Sequence, residues 1–205
     1  MTIRLHRGDL PNLDRYRTGP VAIDTETMGL DPRRDRLCVV QLSPGDGSAD
    51  VVQLPAGRPS APNLAKLLGD AGILKLFHFA RFDLGVLYQT LGVMASPVYC
   101  TKIASRLGRT YTDKHGLKDL VKELLNIDLS KQQQLSDWGA AELSESQVAY
   151  AASDVLHLHA LKARLDAILV REARAELANA CFRFLPDRVR LDLSGWAAED
   201  IFSHS

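Results

Sequence analysis

The sequence predicts an α/β fold, a mixed sheet flanked by helices, and three observations predict it. Strand-like apolar runs come first, at residues 21–24, 37–42 and 50–54. One helical stretch and one more buried run follow, at 62–68 and 73–77. From residue 82 onward the apolar pattern is helical. Strands first, then a strand and helices in alternation, imply a sheet with helices packed on it.

Each element follows from its residues. "VAID" at 21–24 opens with small or β-branched apolar residues without a polar break. Turn-formers in "SPGDGSAD" separate the runs at 37–42 and 50–54, which reads as an antiparallel meander. Helical spacing covers 82–91, 101–107, 117–125 and a long stretch from about 145 to 181. The tail, 182–205, carries Phe184, Leu185, Leu191, Leu193, Trp196, Ile201 and Phe202 without a clear helical period. Such a tail must pack on its own domain or on a neighbouring chain. With no internal repeat, low-complexity tract or Pro/Gly-rich linker, residues 1–205 are expected to form one domain.

Composition narrows the function. Hydrophobic residues make up 46% of the 205, enough for a sizeable core. No run of about 18 apolar residues is present, so no membrane span is expected. The first residues lack an apolar signal region, and the three cysteines (Cys38, Cys100, Cys181) are odd in number and far apart. Both features point to a reducing cytoplasm. There is no CxxC pair and no HExxH, which argues against a structural zinc site. Formal net charge is zero, which disfavours holding long nucleic acid by bulk electrostatics. Cations do gather locally: Lys102, Arg106, Arg109, Lys114, Lys118 and Lys122 face only Asp113 and Asp119 across that stretch. They form either a solvated helical face or a phosphate-facing patch.

The chemistry begins in "VAIDTETMGL". Strand side chains alternate between faces, so Asp24 and Glu26 point the same way, ~7 Å apart along the strand. Two such carboxylates repel and cost desolvation unless something neutralises them. Asp83 in "LFHFARFDLGVL" follows a buried strand and falls in the first turns of a helix, where an acid also serves as a partner of the macrodipole. Tyr150 and Asp154 in "AYAASDVLHL" are four apart, on one helix face, in an apolar setting. Four converging carboxylates suggest a cation, and an oxygen-only ligand set suits Mg²⁺ or Mn²⁺. Two such ions ~3.5–4 Å apart clamp the attacking and leaving oxygens of a displacement at phosphorus.

"DTE", "FHFARFD" and "YAASD" resemble the three motifs of the DEDD 3′–5′ exonucleases, whose sheet is ribonuclease H-like and DnaQ-like. Tyr150, four before the last aspartate, resembles the DEDDy branch; Ala149 stands where the histidine branch has its base. "SDW" at 136–138 with "YAASDV" is similar to ribonuclease D, over roughly residues 20–165. That family usually carries C-terminal helical nucleic-acid-binding domains, for which no room is expected here. "MTIRLHRGDLPNLDRY", "CTKIASRLGRTYTDKHGLK", "KQQQLSDW" and "CFRFLP…LDLSGWAAEDIFSHS" are similar to the nanoRNase C family over essentially the whole length. The resemblance implies hydrolysis of very short RNA, dinucleotides above all, and a ring-shaped homo-octamer.

The same resemblance implies roles. Asp24, Glu26 and Asp154 hold the ion that carries the attacking water, Asp24 bridges to a second ion, and Asp83 supports it. Tyr150 orients or deprotonates the water. A free phenol is a poor base at neutral pH, which favours orientation; the alternative is an aromatic packing on the sheet. Leu30, presented by Gly29, would wedge between the bases, as the leucine of a similar "GLD" does in oligoribonuclease, or would simply anchor the loop. Thr25 and Met28 flank the same cleft. His78 is either a sugar or base contact or a satisfied core histidine. Arg109 and Lys114, in the basic loop "GRTYTDKHG", would hold the 5′ phosphate or form a solvated turn. Alternatives are ribonuclease D-type trimming of structured RNA ends, a DNA 3′–5′ exonuclease, and a non-catalytic nucleic-acid-binding relative.

Overall fold

The computed structural model describes residues 2–57, 59–129, 133 and 135–204. Six strands form one mixed sheet: β1 (Thr2–Arg7), β2 (Val21–Thr27), β3 (Leu37–Ser43), β4 (Ser48–Gln53), β5 (Lys75–Phe77) and β6 (Val98–Cys100). Their order is β1-β4-β3-β2-β5-β6. The meander β2–β3–β4 is antiparallel, as its turn residues predict, while β1, β5 and β6 join it in parallel. Two of these strands escape a reading by pattern. β1 is half-exposed and polar, and it pairs with a strand more than forty residues away, Thr2 opposite Ser48. β6 is only three residues long.

Among the described residues seven α-helices surround the sheet: α1 (Pro62–Gly69), α2 (Ala80–Leu91), α3 (Thr101–Gly108), α4 (Leu117–Leu125), α5 (Glu145–Leu156), α6 (Leu158–Arg171) and α7 (Ala175–Leu191). Val21, Ala22, Ile23, Val39, Val40, Leu64, Leu67 and Leu68 are fully buried in the core. A buried aliphatic side chain of this size contributes roughly 1.5–3 kcal/mol. The long helical stretch expected over 145–181 is in fact three helices. The chain breaks at His157 and again at Ala173, whose φ is +55°.

The tail also departs from expectation. Residues 182–191 continue α7 through Pro186, and Phe182, Leu185 and Val189 are buried. The Phe182 ring lies 4.5 Å from that of Tyr99 in β6. Proline removes one backbone donor and breaks the local pattern, but packing on α2 and β6 keeps the helix intact. Beyond it a π-turn, Asp192–Trp196, leads into an exposed end that carries Trp196, Ile201 and Phe202.

Two placements set up the site. α5 packs across β2, β3 and β4. It starts at a capping box, with Ser144 accepting from the Gln147 amide and Gln147 returning to the Ser144 backbone, which fixes where its first turn begins. α2 begins directly after β5, so Asp83 stands one turn past the sheet edge.

Candidate active site

A cleft of about 640 Å³ opens at the C-terminal end of β2. Asp24 and Glu26 project into it from one face of the strand, and Tyr150 and Asp154 from α5 above it. One carboxylate oxygen each from Asp24, Glu26 and Asp154 lies within 4.8 Å of the others. Asp83 stands outside that trio. It is buried, and its Oδ1 accepts from the Thr25 hydroxyl at 2.6 Å. Thr25, which lines the same cleft, thereby anchors the fourth acid.

No side chain of the described residues neutralises this group. Burial, then the charges of Asp83, Asp154 and Glu26, holds the Asp24 carboxyl well above the usual range. Burial, then Asp154 and Asp83, pushes Glu26 up to about 9. Burial raises Asp83 and Asp154 to about 7 each, against the hydrogen bonding of Thr25 and Tyr150. Four acids pushed toward protonation by burial, two of them also by their neighbours' charges, with three oxygens converging, fit a divalent cation: all donors are hard oxygens in one cup.

Burial, then the charges of Asp154, Glu26 and Asp24, also raises the Tyr150 phenol. In the metal-free protein this favours the protonated phenol. Trp138 from the "SDW" motif is buried behind it, ring centroids 6.1 Å apart. Residues 131, 132 and 134 of "KQQQLSDW" lie outside the described residues.

Other predicted residues divide. Leu30 is 85% exposed at the cleft, and Met28 lines it too. Gly29 allows a close approach in this loop: a Cβ there would run into the Asp35 carboxylate. Asp35 caps the turn by accepting from the Asp31 amide. His78 lines the cleft with Nδ1 2.9 Å from the Thr101 hydroxyl, which in turn donates to the Phe77 carbonyl. Nδ1 therefore carries the proton and Nε2 is an acceptor. Burial, then the Lys102 charge, lowers its pKa to about 3, so the ring is neutral.

Arg109 and Lys114 are corrected. The Arg109 guanidinium is fully buried and bonds Glu123, Ser105 Oγ, Tyr111 and the Lys114 carbonyl. It staples the loop to α3 and α4, and a buried guanidinium with its donors already committed is unavailable to a ligand. Lys114 does not line the cleft; among the described residues the cations that do are Lys102 and Lys118. Sequence reasoning also missed Gln41 and Phe79. Gln41 sits opposite Asp24 in the β2–β3 register and its Nε2 donates to Asp24 Oδ2 at 3.1 Å. Only the register could have shown it.

The family described as 3′-5′ exonuclease matches residues 11–170. The chain belongs to the 3′–5′ exonuclease family. Among solved structures, Brucella melitensis NrnC with bound Mg²⁺ is 62% identical, with a TM-score of 0.96 and full coverage of both chains. Brucella melitensis NrnC bound to pGG is 63% identical with a TM-score of 0.97, again over both whole chains. Ribonuclease D of Gluconacetobacter diazotrophicus is 35% identical over 176 residues, which are 85% of this chain but 44% of that protein. The chain thus spans less than half the length of the ribonuclease D relatives. The helix-flanked mixed sheet is the DnaQ-like exonuclease fold that the motif resemblance implies. No helix among the described residues is long and apolar enough to cross a membrane.

Proposed function

We propose that this exonuclease hydrolyses very short RNA, dinucleotides above all, from the 3′ end, and releases nucleoside 5′-monophosphates. The observation that carries the reading is the cup of Asp24, Glu26 and Asp154 beside Tyr150, in a cleft of about 640 Å³. Similarity to NrnC structures that hold Mg²⁺ and pGG supports it.

Asp24, Glu26 and Asp154 would hold two Mg²⁺ or Mn²⁺ ions, with Asp83 supporting the second. Bound there, the ions neutralise the carboxylates, acidify the attacking water and stabilise the leaving 3′ oxygen. Gln41 steadies Asp24 by an amide donor that adds no charge. Tyr150 keeps its proton and orients the water by hydrogen bonding rather than removing the water's proton. His78 offers Nε2 to a sugar hydroxyl, since its other nitrogen is committed to Thr101. Leu30 inserts between the bases, with Met28 as a wall. The 5′ phosphate, assigned by the sequence to Arg109 and Lys114, goes instead to Lys102 and Lys118. Cations at that end cap a short substrate and give little to a long one, in keeping with zero net charge.

Residues 1–205 act as one exonuclease unit in a homo-octamer in the cytoplasm, with the end of the chain in subunit contacts. Exposed Trp196, Ile201 and Phe202 support this, since a monomer seldom leaves such a group in water. Timed product analysis on 5′-labelled RNAs of two to seven nucleotides, on matching DNAs and on a structured tRNA tests the reading. The dinucleotide is expected to be cleaved fastest. Equal rates on two and seven nucleotides would end the length preference, and efficient trimming of the tRNA would favour ribonuclease D-type processing. Light scattering on the wild type tests the assembly.

A further inference from the structure

Phe79 combines strained backbone with an exposed aromatic side chain. It precedes α2 with φ +68° and ψ +45°, the left-handed region in which a Cβ is crowded. Among the described residues only Asn126 and Ala173 share a positive φ without being glycine. Both follow helix ends, where such a turn is ordinary, and both are small. Phenylalanine is the bulky exception. Glycine or asparagine would hold the same turn with less strain, so the turn alone does not explain the ring.

Nor does the core explain it. Phe79 is 44% exposed. Its ring lines the catalytic cleft together with Leu30 and His78, and also lines the furrow just outside, shared with Leu30 and Pro32. The Lys102 ammonium stands 4.4 Å from the ring centroid and fixes it from one side by a cation–π contact. Lys102 belongs to α3, so the ring is held between two helices while remaining open to the cleft.

We infer that Phe79 is a base-stacking residue: its ring takes one nucleobase of the substrate, with Leu30 as the facing surface. This rests on the nucleotide substrate proposed above. Every base has a π-face, so such a contact adds affinity with little base preference. The strain is then retained because the left-handed turn aims the ring out of the core and into the cleft.

Steady-state kinetics on a 5′-phosphorylated GG dinucleotide, thermal melting and a binding signal test it together. Phe79→Leu and Phe79→Gly are expected to raise KM roughly tenfold to a hundredfold, the usual worth of one stacked base, with kcat changed far less. Phe79→Trp should keep KM within about threefold of wild type. Phe79→Gly should melt at or above wild type, because it relieves the backbone while removing a half-exposed ring. Phe79→Trp also supplies a reporter: in Ca²⁺, with turnover suppressed, the dinucleotide should quench the added tryptophan emission. An unchanged KM in Phe79→Gly overturns the inference. So does a Phe79→Gly that melts lower with kcat and KM impaired together, which would mark a packing residue. Wild-type protein that cleaves no RNA dinucleotide sinks the substrate reading by itself; the quenching experiment then decides Phe79 separately, and absence of quenching rejects stacking.

Discussion

Two regions of this molecule bury carboxylates, and they treat them in opposite ways. At the start of β4, Asp50 is 3% exposed and surrounded by donors: Arg15 at 2.5 Å, Tyr16 at 2.5 Å and His6 at 2.9 Å. Arg15 reaches Asp46 and Ser48 as well, so β1, the Asp14–Tyr16 turn and β4 are tied at one point. At the end of β2, Asp24, Glu26 and Asp154 converge with Asp83 behind them, and the described residues supply no cation to the group. A buried acid that finds its partner inside the chain builds architecture. A set of largely buried acids that crowd one another and meet only neutral donors marks a place for an ion from outside. Arg109 and Glu123 belong to the first kind, which is why a basic loop that looks fit for phosphate is structural.

The sharpest way to break this contrast is to neutralise one acid in each region. Asp24→Asn or Asp154→Asn is expected to abolish hydrolysis, since an amide cannot replace a charged metal ligand. In chelator above about pH 8 the same variants should melt at or above wild type, because a carboxyl that is costly to ionise among its neighbours is gone. Residual turnover near the wild-type rate would end the metal-site reading.

Next in size is Tyr150→Phe. Turnover should fall about 10²–10⁴-fold, with KM nearly unchanged, because the phenol orients water and not nucleotide. A wild-type kcat would remove its role.

Asp50→Asn tests the other region. It should cost about 3 kcal/mol in urea unfolding, because Arg15 and Tyr16 lose their charged acceptor. Activity per folded molecule should persist. A variant as stable as wild type but inactive would put Asp50 in the wrong class.

The ions themselves come next. EDTA should silence the enzyme and Mg²⁺ or Mn²⁺ restore it. Asp83 and Asp154 near 7 and Glu26 near 9 lie above the values of unfolded carboxyls, so between about pH 4 and 9 the metal-free folded chain holds more protons than the unfolded one. Its stability from these groups is full below about pH 4 and is lost as pH rises through 7 to 9. Mg²⁺ should therefore raise Tm more at pH 8.5 than at pH 5.5. At one hundred times Kd the gain is about 2–3 kcal/mol. Melting curves that respond to Mg²⁺ equally at both pH values would contradict the coupling.

The smallest effect concerns Lys118→Ala. KM for a 5′-phosphorylated dinucleotide should rise a few-fold, and the salt dependence of binding should flatten by about one charge. If instead Lys114→Ala does this and Lys118→Ala does not, the cap lies on the loop after all.

How much of this was legible in the chain depends on the reach of each feature. The spacing of two between Asp24 and Glu26, and of four between Tyr150 and Asp154, sets a shared face by backbone geometry alone. These relations need only the strand or helix they lie on, and they pair Asp24 with Glu26 and Tyr150 with Asp154; Asp83 joined them through the motif resemblance. Folding decided what meets across elements. The pairing of β1 with β4, Gln41 opposite Asp24, Thr25 on Asp83 and Lys102 on the Phe79 ring all join residues from different elements. Arg109 shows the physical reason most clearly. In sequence it is one more cation in a basic loop; in the folded protein Glu123, Ser105 and the Lys114 carbonyl surround it, and desolvation with those partners turns a candidate ligand contact into a buried staple.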